Sequence, residues 1–292
     1  MKVGGQAIIE GVLMMGKRVV IAVKNQDGNV IVEELSVKVP SNSKMFKIPL
    51  IRGLISVYYS LYYGILALNR SAEISTGQKM KKSETFWSIV LAVGLAVGLF
   101  IVLPTLLINL IKGLKENEFL FSLFEGIVRL IFFLIYVYII SFMKDVKRIF
   151  QYHGAEHMVI NAYESGEKLI AENVRKYSTI HPRCGTSFVM IVLIVSIVLF
   201  SLFGLIRSND LLWRILTRLV MLPVVVAFSY EILRISSKGS KIMKILTAPG
   251  LLLQKLTTAI PDDSQIEVAL ISLKEALKEK VNTDASGIEF LG

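Results

Sequence analysis

The chain has 292 residues, a net charge of +10 and a mean hydropathy of +0.60; 53% of its residues are hydrophobic and 19% are charged. Charged residues make up about a quarter of an ordinary soluble domain, so the composition excludes a purely soluble chain and points to a membrane protein with soluble appendages. The basic balance does not read as nucleic-acid binding, because no zinc-finger spacing, RNA-binding motif or basic helix accompanies it, and one cysteine, Cys184, excludes an intramolecular disulfide framework.

The opening MKVGGQAIIEGVLMMGKR has no signal-peptide pattern, since its apolar run is short and broken by Glu10 and glycines. A cytoplasmic start is expected. Gly4, Gly5, Gly11 and Gly16 read either as a flexible lead into a strand or as a loop that places Glu10 in a site. Residues 17–39 predict a β-hairpin: KRVVIAVKN and VIVEELSVKV are β-branched, and Asp27-Gly28 between them is a strong turn signal. A lone hairpin is marginal in water, so it needs its own first residues or the cytoplasmic loop to pack on. Pro40, Ser41, Asn42 and Ser43 mark a break inside the cytoplasmic segment 1–49.

Residues 53–69, GLISVYYSLYYGILALN, are uncharged and tyrosine-rich. The run is shorter than the roughly 20 residues of a typical span, and tyrosine favours membrane–water interfaces. It predicts an interfacial or re-entrant helix, with a full crossing as the alternative. The unit 50–85 closes with a basic linker.

Four stronger spans follow. The first runs from Phe86 to Ile111 and contains Pro104; the second covers about 121–143, with Glu125 and Arg129 at i,i+4 near its start. An ionisable pair in a span raises a functional hypothesis; a place near the headgroups is the milder expectation. The third is 187–206. The fourth, about 212–233, has Arg214 and Arg218 at its start, Pro223 within it, and Glu231 and Arg234 at its end, spaced to satisfy each other. These make two hairpins, 86–143 and 187–235, around a loop, 144–186.

Residues 1–85, 144–186 and 234–292 hold 27 of the 33 lysines and arginines, and the two intervening turns hold 5. The positive-inside rule then places both termini and the 144–186 loop in the cytoplasm. In the tail, 236–292, APGLLLQKLTT (248–258) reads as an amphipathic segment near the membrane. A helix is expected over 261–280, with Ser264 and Glu267 as its capping box. The last dozen residues are expected to fray. The fold class is thus a mainly α membrane protein with about four transmembrane helices, an interfacial or re-entrant helix, a small cytoplasmic β-hairpin and a C-terminal amphipathic helix.

All three histidines and the cysteine fall between 153 and 184. In QYHGAEH (151–157), His153, Glu156 and His157 form H-x-x-E-H, in which residues four apart share a helix face. Inverted zincins use this spacing, with the histidines as ligands and the glutamate as general base. Gly154 inside the motif weakens the case for a regular helix. A catalytic zinc site usually needs a third protein ligand. Glu164 lies too far along a straight helix for the same ion, and suits an outer role. His181 or Cys184, in the turn-like HPRCGTSF (181–188), is the better candidate, and Arg183 could stabilise an anionic substrate. Imidazole and thiolate together suit Zn²⁺ best among divalent ions. Two bland readings stand beside this one: interfacial histidines that only hydrogen-bond, and an inert buried cysteine. A metal-free Cys184–His nucleophile is a third.

GGQAIIEGVLMMG (4–16), QYHGAEH (151–157), HPRCGTSF (181–188), SYEILR (229–234) and APGLLLQKLTT (248–258) together resemble the YqhQ family, bacterial membrane proteins of unknown function described in places as predicted metal-dependent enzymes. The resemblance spans most of the chain. It implies membrane localisation and draws attention to Glu10, His153, Glu156, His157, His181, Arg183, Cys184 and Glu231. The favoured expectation is a metal-dependent hydrolase at the cytoplasmic membrane face, with the bilayer as its setting, a lipid or membrane-protein substrate, and a homo-oligomer left open. The alternative is a non-enzymatic transporter, channel or membrane assembly factor, with a structural metal or none, in which Glu125, Arg129, Arg214 and Arg218 line a path or a subunit contact.

Overall fold

The computed structural model describes residues 3–36, 44–79, 81–114, 116–203, 210–236 and 241–278. The expected break at 40–43 and the last dozen residues lie outside these. Four strands, β1 (Gly4–Ile8), β2 (Gly11–Met15), β3 (Val19–Lys24) and β4 (Val30–Glu34), form an antiparallel meander in chain order. The helices are α1 (Ile51–Thr76), α2 (Lys82–Val97), α3 (Leu103–Asn109), α4 (Glu118–Ile140), α5 (Lys144–Glu164), α6 (Ala171–Val174), α7 (Gly185–Phe203), α8 (Leu211–Ser236), α9 (Lys241–Thr257) and α10 (Asp263–Leu277).

Asp27-Gly28 turns β3 into β4, where Lys24 pairs with Val30. The glycine-rich opening is not a flexible lead but a second hairpin: Ile8 pairs with Gly11, and the chain turns through Glu10 at φ 52°. Successive strand residues face opposite sides. Val12, Met14, Val20 and Ala22 pack with Tyr152 and Val159 of α5 and Ile266 and Leu273 of α10. Leu13, Met15, Val19, Ile21 and Val23 pack with Ala67 and Leu68 of α1. Because both faces are covered, β2 and β3 read as nearly continuous apolar runs rather than as clean alternation.

The cap of α10 falls two residues before the expected one. Asp262 accepts from Gln265 N at 2.9 Å, and Gln265 Oε1 accepts from Asp262 N at 2.9 Å. The carboxylate of Asp262 is the stronger acceptor, and the Ser264 hydroxyl turns to it at 2.8 Å.

Five helical stretches are long and apolar enough to cross a membrane: Ile51–Thr76, Ser83–Asn109, Glu118–Ile140, Gly185–Leu202 and Leu211–Ile235. They fit a multi-pass membrane protein. Gly126 of α4 packs on Ile197 of α7, and Phe188 and Ile191 of α7 pack with Tyr230 and Leu233 of α8. The end of α4, the start of α7 and the end of α8 therefore share one end of the bundle, and α5 leaves from it. The first part of α1 meets this end, and its last part meets the sheet. Ser56 Oγ is 3.2 Å from Tyr230 Oη, while Ser71 Oγ accepts from Ile9 N at 3.2 Å in the sheet. By length and composition α1, expected as an interfacial or re-entrant helix, is itself one of the five helices that could cross, which was the alternative expectation.

At the other end, Glu125, 1% exposed, accepts from Arg129 Nη2 at 2.6 Å, Arg218 Nη2 at 2.9 Å and Thr105 Oγ1 at 3.0 Å. Pro104 has no N–H to offer the turn before it, and Phe100 O in that turn accepts from Arg129 Nε at 2.7 Å. Glu231 takes Arg52 Nε at 2.7 Å and Leu50 N at 3.1 Å at the start of α1, with the charge of Arg234 on its own helix also acting on it.

Candidate metal centre

α5 is a regular helix through the H-x-x-E-H motif. Gly154 does not break it. A Cβ at that position would lie 2.1 Å from Ala259 O, so the glycine serves the close approach of the chain after α9. That approach delivers Thr257 O to His153.

His153 and His157 sit one turn apart, with ring centroids 4.3 Å apart. His153 Nδ1 donates to Thr257 O at 2.8 Å, and His157 Nδ1 donates to Thr179 O at 2.6 Å. A carbonyl only accepts, so each Nδ1 carries a proton, and in the neutral form of each ring Nε2 presents a lone pair. Cys184, at the mouth of α7, brings Sγ to 3.1 Å from His153 Nε2. The three donor atoms lie within 4.8 Å of one another. His157 Nε2 is buried and has no hydrogen-bond partner. Two imidazoles and a sulfur are a donor set that suits zinc.

Glu156 points to the sheet side of the same turn. It is 1% exposed, and its Oε1 is buried without a partner. Gly5 in β1 makes the room: a Cβ there would lie 2.7 Å from that oxygen. Burial pushes the Glu156 carboxyl up to about 7, against the pull of His153.

His181 does not join the cluster. Its ring centroid is 5.7 Å from that of His157, its Nδ1 accepts from Arg183 N at 3.3 Å, and its Nε2 faces Glu164 Oε2 at 3.4 Å. Burial, then the charges of His157 and Arg183, lower it to about 4 against the pull of Glu164, so the ring is neutral at neutral pH. Arg183 pairs with Glu164. Burial alone would raise the Glu164 carboxyl, but Arg183 and His181 hold it below its ordinary value. Glu10 is bound by Arg148 and lies 3.4 Å from Tyr152 Oη, beside the centre rather than in it.

The sequence reading missed Gln254, Thr179, Thr257 and Gly5. Gln254 is fully buried and holds the turn before α7. Its signal was a lone amide in the apolar run GLLLQKL. Thr179 and Thr257 act through backbone carbonyls, which carry no side-chain signal.

Residues 48–279 match a family described as "Protein of unknown function (DUF1385)". The chain belongs to this family. It is also 35% identical to the uncharacterized protein YqhQ of Bacillus subtilis (strain 168), over 94% of this chain and 92% of that one. The resemblance carried by the sequence motifs is thereby borne out. No solved structure matches the chain. The family match covers α1 to α10 and the whole cluster, while β1 to β4 precede it.

Proposed function

We propose that this chain is a cell-membrane protein, with both termini and residues 144–186 in the cytoplasm, that holds a divalent metal on His153, His157 and Cys184 and hydrolyses a membrane-associated substrate. The orientation rests on the 27 of 33 lysines and arginines found on one side. The observation that carries the metal is His157 Nε2, buried without a partner and aimed by the Nδ1 bond to Thr179 O beside the other two donors. An unsatisfied buried group costs about 1–3 kcal/mol, and an ion held by the three donors would relieve it. Carbonyls behind the rings orient histidine ligands in the same way in known metal sites. Three protein donors, rather than four, are the number found in catalytic zinc sites.

When bound, zinc would supply a Lewis acid and acidify water at its open position. Glu156 would take the proton: it neighbours His157, lines the same cavity as His153 and Cys184, and its Oε1 is uncommitted. Arg183 is committed to Glu164 and acts as a positioning residue for the 181–184 turn.

The non-enzymatic alternative would use Glu125, Arg129, Arg214 and Arg218. These residues are buried, but Arg129 and Arg218 close on Glu125 and Arg214 pairs with Glu118, which ties helices together rather than facing a passage.

The test is elemental analysis of the detergent-purified protein beside a folded His153→Ala/His157→Ala variant, with Glu156→Gln assayed on a panel of lipid esters and phosphoesters. About one zinc per chain is expected in the parent, none in the double variant, and retained zinc without hydrolysis in Glu156→Gln. A parent that takes up no metal after zinc reconstitution overturns the reading.

A further inference from the structure

A cavity of about 530 Å³ joins the metal cluster to the helix bundle. Its polar end holds His153, Glu156 and Cys184. Gln6, Thr186 and Thr257 border that end, and the rest of the lining is largely apolar: Val57 and Leu61 of α1, Phe188, Val189 and Val192 of α7, and Val226 of α8, with Ser60 of α1 among them. Val192 lies seven residues into α7, so the apolar part reaches roughly 10 Å into the bundle from its end. Leu61 and Val189 at the mouth are 62% and 39% exposed, and Leu54, Tyr58, Leu61, Tyr62 and Ile65 form one exposed apolar stripe along α1. The exposed part of the lining therefore adjoins the apolar side of the bundle, the surface that a bilayer would cover.

The chemistry of the lining selects the occupant. An extended peptide would need partners for each N–H and C=O away from water. Among the lining side chains between α1, α7 and α8, the hydroxyl of Ser60 is the one polar group. The buried polar atoms without a partner that touch this space are Ser60 Oγ and Glu156 Oε1, one on α1 and one at the cluster. This is the pattern of a ligand with a long hydrocarbon part and one small polar group.

We propose that the cavity is the hydrocarbon-chain subsite for an acyl lipid taken laterally from the bilayer, with the lipid's polar linkage presented to Glu156 and the His153–His157–Cys184 donors. The placement of the linkage rests on the hydrolase reading above; the hydrocarbon subsite does not.

The experiment uses the full chain in lipid nanodiscs with palmitic acid carrying a mid-chain diazirine, followed by irradiation and peptide mapping. Adducts are expected within 57–61 and 188–192, competed by excess unlabelled palmitate. Val192→Trp should reduce them about tenfold, the equivalent of excluding about two methylenes from apolar contact. Leu61→Trp, at an exposed mouth position, serves as the variant that folds without repacking. His157→Ala should lose zinc and keep the adducts, so zinc content and labelling fail separately. Zinc bound without selective labelling would sink the lipid subsite alone. Adducts spread over outward residues such as Leu91 and Leu202, unmoved by either tryptophan, overturn the proposal. So does preferential labelling of the cavity by a diazirine-bearing transmembrane peptide.

Discussion

Gln254 and His181 are joined by two hydrogen bonds: Gln254 Oε1 accepts from His181 N at 2.8 Å, and Gln254 Nε2 donates to His181 O at 2.8 Å. The same amide nitrogen reaches Ser187 Oγ at 2.8 Å. One buried side chain of α9 thus fixes both ends of the turn that delivers Cys184. Gln254→Leu removes these bonds, leaves the His181 N–H buried and unpaired at about 1–3 kcal/mol, and leaves the His181 carbonyl only the 3.4 Å contact from Cys184 N. The expected result is a lower thermal midpoint in detergent and a zinc affinity weaker by about 10–100-fold, the usual effect of losing an outer support of a metal site. Unchanged zinc affinity would show that the turn holds Cys184 without help from α9.

Gly154→Ala places a methyl group 2.1 Å from Ala259 O. The helix itself gains, since alanine is the better helix former by about 1 kcal/mol. The displaced backbone loses about 1–3 kcal/mol to overpacking, and Thr257 O moves off His153 Nδ1. Net destabilisation with weakened zinc binding is expected from thermal unfolding and metal titration. A stabilised variant would mean that the approach of 257–259 is looser than described.

Cys184 separates the metal from the thiol-nucleophile reading, because the 3.1 Å contact to His153 Nε2 fits both. In the metal reading, a maleimide reacts with Cys184 faster after zinc removal by a chelator, and Cys184→Ser loses zinc. In the thiol reading, zinc protects nothing, and Cys184→Ser loses turnover with metal content unaltered. His157 Nε2, aimed at the cluster and unpartnered, has no task in the second reading, so protection by zinc is the expected outcome.

The helical spans were legible because apolar runs of about 20 residues admit few other structures. The β3–β4 hairpin was legible because Asp27-Gly28 names its own turn. The β1–β2 hairpin was not. Its turn, Ile9-Glu10, carries no glycine or asparagine, and three of the four glycines that look like flexibility, Gly4, Gly5 and Gly11, are paired within strands. In the cluster, the i,i+4 spacing of His153 and His157 was enough to bring their rings together. The choice between His181 and Cys184 was beyond the sequence, since it depends on Glu164 and Arg183 drawing the imidazole away. Gly154 was misread for a related reason: its cause is a backbone 105 residues later in the chain.

Glu125→Gln leaves Arg129 and Arg218 buried against Phe200 with no carboxylate between them. Breaking a buried ion pair from one side costs about 3–5 kcal/mol, so a large drop in thermal midpoint is expected. Zinc content should not change, because the cluster lies at the opposite end of the bundle. Replacing Glu125 and Arg129 together restores the charge balance and should recover part of the stability. A double variant that is stable and zinc-loaded yet inactive would bring the transport or assembly role forward.

Asp262 gives a pH-dependent prediction outside the membrane. Burial works to raise its carboxyl, but the Gln265 backbone, Ser264 and the charge of Arg148 hold it below the ordinary aspartate value. A depressed folded-state value means that the stabilisation is present above the unfolded value of 3.8 and is lost as pH falls through the folded one. Asp262→Ala should cost about 1 kcal/mol at neutral pH, as for other N-caps, and the difference from the parent should close in acid. Asp262→Asn keeps a capping oxygen without the charge, so its deficit should be smaller and less dependent on pH. Because α10 seats Ile266 and Leu273 under the sheet that holds Gly5 against Glu156, hydrogen exchange in β1 should rise in the alanine variant. No change there would mean that the sheet holds its place without the capped end of α10.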